Sequence, residues 1–137
     1  MDHRIIDLHV HSTESDGTLT PEDLVAEAKK AELAAFALTD HDTCQGVCKA
    51  MPLAASAGIE LIPGIELSTD YHGKEVHIVG LYIDIENEQL LKKTAEYRKC
   101  RSERNALMVE ALQKEGLSIT MEELVAENPD CVITRAN

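Results

Sequence analysis

Long apolar runs are missing from this 137-residue sequence: none approaches the roughly 20 residues that a membrane-crossing helix takes, so no membrane partner is expected. Basic residues are scarce as well. With 13 Lys and Arg against 25 Asp and Glu, the formal net charge is −12 and the pI about 4.8, so no broad basic surface faces a nucleic-acid backbone. A bound phosphate would need a local site to attract it. Residues Met1 to His11 lack the apolar stretch behind a basic start that marks a signal peptide, and a cytoplasmic protein is the simplest inference. Cys44, Cys48, Cys100 and Cys131 lack disulfide-dense spacing and fit reduced thiols in that compartment. Internal repeats and low-complexity tracts are absent, and no histidine follows His77. What is present, 44% hydrophobic residues in a chain of this length, suffices for one domain with a real core.

The most informative stretch is Asp7-Leu8-His9-Val10-His11, an apolar strand ending in two histidines. Side chains at i and i+2 of an extended chain share a face, so His9 and His11 can grip one ion together. The other chemistry-bearing residues fall where strands should end: Asp16 in the loop after the first strand, His41 after residues 34–40, Glu66 after 59–63, and His77 inside 76–83. The pattern predicts one metal centre assembled from several strand ends.

Ile5, Ile6, Leu8 and Val10 make residues 4–10 a buried strand, too short a run for a helix. After a polar loop, Thr20 as N-cap, Pro21 with its φ already set, and Glu22 and Asp23 against the positive dipole end start a helix. Leu24, Val25, Ala28 and Ala31 give that helix an apolar stripe. Residues 34–39 predict a second, parallel strand. A second helix should cover about 45–57, weakened or delayed by Pro52 and stopped by Gly58, and residues 59–62 form a third strand. This β-α-β-α-β order predicts a parallel sheet or barrel with right-handed crossovers, and ligands gather at the carboxyl ends of such strands. Residues 64–71 and 75–83 read as a strand pair joined through His72-Gly73-Lys74, the second strand apolar on both faces and central. From 88 to 115 the pattern is a long charged helix, with Leu90, Leu91, Ala95, Met108 and Leu112 on its apolar side and Gly116 as its stop. Thr120 caps a short helix ending before Pro129, and residues 131–134 suggest a last short strand.

These residues carry a resemblance. Asp7-Leu8-His9-Val10-His11-Ser12, Asp16-Gly17, Leu38-Thr39-Asp40-His41-Asp42, Gly64-Ile65-Glu66-Leu67-Ser68 and His77-Ile78-Val79-Gly80-Leu81 resemble, in order, the first motifs of the polymerase and histidinol phosphatase (PHP) family. The resemblance implies an α/β fold, a distorted seven-stranded β/α barrel of metal-dependent phosphoesterases. Residues 1–86 would form the amino-terminal half of that barrel and 87–137 the start of a helical insertion, or lid. The long helix with Arg101 and the segment Ile133-Thr134-Arg135 look most like the bacterial branch that acts on nucleoside 3′,5′-bisphosphates or trims RNA from the 5′ end. Family members run to about twice this length and draw a further His and an Asp-x-His pair from their later part. The expectation is therefore an amino-terminal portion of a longer protein, with the carboxyl-terminal half of the barrel absent and the metal site incomplete. Such a chain should be weakly active or inactive alone, and its open strand edges should favour self-association.

Imidazole and carboxylate together suit borderline divalent ions such as Zn²⁺, Mn²⁺ or Fe²⁺. By the resemblance, two or three such ions are held: His9 and His11 bind one, Glu66 bridges it to a second also held by His77, and Asp16 with His41 contributes to a third. A cluster of this kind grips a phosphoryl oxygen and lowers the pKa of a bridging water, so a metal-bound hydroxide attacks and no side-chain nucleophile is required. Asp7, Asp40 and Asp42 are expected to orient the imidazoles through their free N–H groups. Arg101 and Arg135 are expected to offer forked donors to a small phosphorylated substrate, a nucleotide or a short RNA.

Each assignment has a plainer competitor. A lone histidine on an apolar strand, such as His9 or His77, is more often a satisfied core residue, and it is the joint occurrence of five motifs that favours ligation. His3 and His72 read as solvated. Cys44 and Cys48 lack the spacing of a zinc knuckle or ribbon and read as ordinary thiols. The basic run from Lys92 to Arg104 reads as a solvated face paired with Glu88, Glu96 and Glu103. Among rival functions, an amidohydrolase-like barrel also opens with His-x-His, but it bridges its metals with a modified lysine where Glu66 stands here. A metal-binding module without catalysis is the rival of a different class.

Overall fold

Two helices packed on one face of a four-stranded sheet leave the strand ends free to carry the polar groups, in a computed structural model that describes residues 5–127. The order is β1 (Ile5–Val10), α1 (Pro21–Lys30), β2 (Leu33–Leu38), α2 (Gln45–Ala57), β3 (Glu60–Tyr71), β4 (Lys74–Leu81), α3 (Glu88–Lys114) and α4 (Met121–Glu127). In the sheet, β1-β2-β3-β4, the first three strands are parallel and β4 runs antiparallel to β3. The predicted strand at 131–134 and Arg135 lie outside the described residues.

Local chemistry explains most element ends. Thr20 Oγ1 accepts the Asp23 N–H at 3.1 Å and Pro21 opens α1, with Lys29 and Lys30 in its last turn. Gly58, at φ 75°, ends α2 in the left-handed conformation that a residue without Cβ adopts freely. Pro52 neither delays nor ends α2: the helix runs through it, held to the sheet by buried Val47, Ala50 and Ala54. His72 and Gly73, at φ 53° and 76°, make the tight turn between β3 and β4.

Burial divides along β2. Phe36 and Leu38 pack against Val25 and Ala28 of α1, Val47, Ala50 and Ala54 of α2, and Ile59. On the opposite face, Ala35 and Ala37 meet Ile62 and Leu81. The flanking strands differ from expectation. Ile5 and Ile6 on β1 are 57% and 54% exposed, and Ile78 on β4 is 53% exposed, so among the described residues β1 is an exposed strand and β4 an edge strand. The reason is topological: each has a single hydrogen-bonded neighbour in the described sheet.

The expected break between residues 62 and 64 is likewise absent, for β3 is one strand through Pro63 and Gly64. Proline is compatible with extended backbone, and its missing N–H falls where β3 leaves β2 for β4: Leu38 faces Pro63, and Leu81 faces Gly64. A Cβ on Gly64 would lie 2.7 Å from Thr39 Cγ2, so glycine permits the close crossing. Helix α3 also packs differently: Leu91 is exposed, whereas Thr94, Asn105 and Val109 are buried. Among the described residues, no helix is long and apolar enough to cross a membrane.

Candidate metal centre

After β2 the chain pairs once more with β3. The Glu66 N–H donates to Asp40 O at 3.2 Å and the Asp42 N–H to Glu66 O at 3.0 Å, which sets His41 opposite Glu66. Strand periodicity brings His9 and His11 from β1 to the same carboxylate. His9 Nε2 lies 2.7 Å and His11 Nε2 3.0 Å from Glu66 Oε2. The other oxygen, Oε1, is 2.8 Å from His77 Nδ1 on β4. His41 Nε2 is 3.8 Å from Glu66 Oε2 and 3.5 Å from Asp16 Oδ2, and Asp16 Oδ1 is 3.4 Å from His11 Nδ1.

All six expected ligands thus converge, as three groups with ligand atoms within 4.8 Å of one another: His9, His11 and Glu66; His11, Asp16 and His41; His41, Glu66 and His77. Each pair of groups shares one residue. A neutral imidazole offers a single lone pair, so of the shared residues only Glu66, with two oxygens, can serve two ions at once. His41 turns Nε2 toward Asp16 and Glu66, while its Nδ1 is buried without a hydrogen-bond partner among the described residues.

Charge supports the same fit. The rings of His11 and His41 stack at 4.8 Å between centroids. Burial holds His41 below the ordinary histidine value, although Asp16 and Glu66 pull the other way. For Glu66, burial acts upward, but the hydrogen bond with His9, the field of His41 and the hydrogen bond with His77 outweigh it and hold the carboxyl below its usual range. Burial of His77 is outweighed in turn by its contacts with Glu75 and Glu66, which lift it above the usual value. Glu66 is therefore a carboxylate at neutral pH.

The three neighbouring aspartates do other work than expected. Asp7 Oδ1 accepts the backbone N–H of His9 at 3.2 Å, and not a ring N–H. Asp40 bonds Ser12 and Ser15, while Asp42 takes the Ser68 N–H at 3.0 Å and Arg101 Nη2 at 2.6 Å. The carboxylate that does reach an imidazole is Glu75, with Oε1 3.2 Å from His77 Nε2. Sequence reasoning missed it, although Glu75 and His77 stand in the same i, i+2 relation that paired His9 with His11.

Only part of the basic run on α3 is solvated. Lys93 pairs with Glu96 and Lys99 with Glu103 on the outside. The arginines turn inward: Arg98 Nη1 donates to Asp42 O at 2.7 Å, and Arg101 Nη2 donates to Ser68 Oγ at 2.6 Å besides Asp42. Arg101 and Arg104 line a cleft of about 450 Å³ with Asp42, Ser68, Tyr97 and Glu75, the last of which contacts His77. The signal in the sequence was the three-residue spacing of Arg98, Arg101 and Arg104, which places them along one helix face.

A PHP domain match covers residues 7–126. The chain belongs to the PHP domain family. This PHP domain is 42% identical over 112 residues to the 5′-3′ exoribonuclease Rnm of Escherichia coli, spanning 80% of this chain and 38% of that protein. It is 40% identical over 113 residues to the 3′,5′-nucleoside bisphosphate phosphatase of Chromobacterium violaceum, spanning 82% of this chain and 40% of that one. Among solved structures, a protein of Bifidobacterium adolescentis described as a metal-dependent phosphoesterase matches with a TM-score of 0.82 at 33% identity, over 90% of this chain and 43% of its own. One from Chromobacterium violaceum, described as an amidohydrolase with bound sulfate and no metal, matches with a TM-score of 0.80 at 39% identity, over 83% of this chain and 40% of its own. The chain thus spans about two fifths of the length of the curated relatives it matches. Its curled sheet with flanking helices is the amino-terminal part of a PHP barrel. PHP phosphoesterases are hydrolases that depend on divalent metal ions.

Proposed function

We propose that this PHP domain is part of a cytoplasmic metal-dependent phosphoesterase that hydrolyses phosphate monoesters or diesters of small nucleotides or of RNA 5′ ends. The observation that carries the reading is the convergence of His9, His11, Asp16, His41, Glu66 and His77 beside an arginine-lined cleft. In this reading His9 and His11 would hold one ion, Glu66 would link it to a second also held by His77, and Asp16 with His41 would contribute to a third. Bound divalent ions of the Mn, Zn or Fe type supply Lewis acidity and an activated water at the phosphorus.

The chain's own groups bind and orient. Arg101, carried by α3 and held by Asp42 and Ser68, offers its guanidinium to a phosphate oxygen at the cleft. Arg104 lies three residues on along the same cleft wall, and Arg135, outside the described residues, is proposed as a second phosphate ligand. Glu75 holds His77 with Nε2 outward and Nδ1 toward Glu66. No side chain is assigned as nucleophile. The names of the relatives, an exoribonuclease and a bisphosphate phosphatase, support a nucleotide or RNA substrate over histidinol phosphate.

The test couples elemental analysis to phosphate release from a nucleoside 3′,5′-bisphosphate, a 5′-phosphorylated short RNA and histidinol phosphate. It is run on this chain and on the longest gene product that contains it. Two or three transition-metal ions per full-length chain are expected, with release from the bisphosphate or the RNA. The release should disappear in His9→Ala and Glu66→Ala variants that keep their far-UV circular dichroism. Bound ions with no release from any substrate would refute the phosphoesterase reading, and absence of ions would refute the metal centre.

A further inference from the structure

Asp40 precedes His41, but the hydrogen bonds of its carboxylate go to serines. It is 1% exposed. Its two oxygens accept three hydrogen bonds, all of 2.7 Å: Ser12 N–H and Ser15 Oγ–H on Oδ1, Ser12 Oγ–H on Oδ2. Ser12 and Ser15 are themselves 0% and 1% exposed. Both serines lie in the short loop that starts at His11 and carries Asp16.

That loop is wound around the clamp. The Ser15 and Gly17 N–H groups both donate to Ser12 O, at 3.0 and 2.9 Å, and the Glu14 N–H donates to Ser12 Oγ at 3.1 Å. Two glycines give it room. A Cβ on Gly17 would stand 2.2 Å from His11 O, and one on Gly46 would stand 2.3 Å from Asp40 Oδ2 and 3.0 Å from Ser12 Oγ. Gly46 lies in the first turn of α2, where the helix dipole favours the buried negative charge. An apolar residue of similar volume would fill the same space without the desolvation cost of a buried carboxylate. Packing alone therefore does not account for Asp40, whereas the position of its donors does.

We infer that Asp40 is a positioning residue: through Ser12 and Ser15 it fixes residues 12–17 so that Asp16 and His11 face His41. The inference rests on the reading of His11, Asp16 and His41 as ligands, and it assigns Asp40 to the loop rather than to any imidazole. The variants are Asp40→Asn, which replaces one acceptor by an amide donor, and the milder Ser15→Ala, which deletes one hydroxyl and leaves the carboxylate.

Two readouts on the 137-residue chain test it. In metal-free protein, amide exchange at Ser15 and Gly17 should accelerate about tenfold or more, as follows from losing a charged hydrogen bond that holds a local opening closed. Exchange at Phe36 and Ala37 should stay unchanged. In protein titrated with Mn²⁺, uptake should fall by the ion that Asp16 helps to hold, while uptake shared with Glu66 persists. Unchanged exchange at Ser15 and Gly17 in both variants would overturn the inference. So would an equal acceleration at Phe36 and Ala37, which would make Asp40 a general stability residue. If the parent chain takes up no Mn²⁺, the ligand reading falls on that result, and the exchange comparison still decides whether Asp40 orders the loop.

Discussion

Removing Arg101 leaves a buried carboxylate with half its partners. Asp42 is 1% exposed at its side chain and Arg101 12%, and their contact is 2.6 Å. Breaking such a pair from one side costs about 3–5 kcal/mol. The low end applies, because the Ser68 N–H still serves Asp42 Oδ1 at 3.0 Å and Arg101 keeps a little contact with water. The expected loss for Arg101→Ala is therefore about 3 kcal/mol. It should fall on α3 and not on the sheet, since Thr94, Asn105 and Val109 are the buried residues of that 27-residue helix. Amide exchange across the middle of α3 should then rise about 100-fold, the equivalent of about 3 kcal/mol in local opening, with β2 unaffected. Paired with Asp42→Ala and the double variant, the cycle should return a coupling energy of about 2 kcal/mol or more. Additive single effects, or an α3 that exchanges no faster in Arg101→Ala, would refute the reasoning that this pair holds the helix in place.

Three further outcomes are expected. Glu75→Gln should weaken Mn²⁺ binding about tenfold by calorimetry, because a ligand imidazole loses the carboxylate that fixes its tautomer, whereas Asp7→Asn should leave the affinity near the parent value. In chelator-treated protein followed by NMR, His77 should titrate above His41, since contacts with Glu75 and Glu66 raise the first despite its burial and burial lowers the second. His77 then contributes stability below the ordinary value of 6.5 that is lost as pH rises through its raised folded value, so the deficit of a His77→Gln variant should shrink above that pH. His41 and Glu66 act with the opposite sign, their contributions being lost as pH falls through lowered values. Titration of His41 above His77 would contradict the assignment. Finally, Phe36→Ala, at a residue 1% exposed, should cost about 3–5 kcal/mol in urea denaturation. Ile78→Ala, at a residue 53% exposed, should cost under about 1 kcal/mol, and equal costs would mean that the core is not on β2.

Local rules account for what was legible. Thr20 and Pro21, Gly58, His72 with Gly73, and Gly116 mark their turns because capping and positive φ depend on a handful of adjacent residues. The i, i+2 geometry of His9 and His11 needs nothing beyond an extended backbone. The placing of Asp16 and His41 after β1 and β2 was legible for a related reason, that groups beyond the carboxyl ends of neighbouring parallel strands lie close together; Glu66 and His77 join them from within β3 and the antiparallel β4. Where local signals were taken too literally they misled. Pro63 and Gly64 read as a break because proline and glycine usually punctuate, yet here they serve a crossing strand. The apolar run of β4 read as central because sequence shows side chains but not neighbours.

By itself, then, the sequence determined the order of the elements, most of their ends and which histidines and carboxylates stand at or near strand ends, since these follow from contacts within one turn or one strand. Only the tertiary structure decided the partners of the remaining charged groups. Asp40 meets Ser12 across 28 residues and Arg101 meets Asp42 across 59. Whether an arginine on α3 faces water or a buried aspartate depends on how that helix docks, and docking is set by the sum of packing across the sheet, which no spacing along the chain encodes.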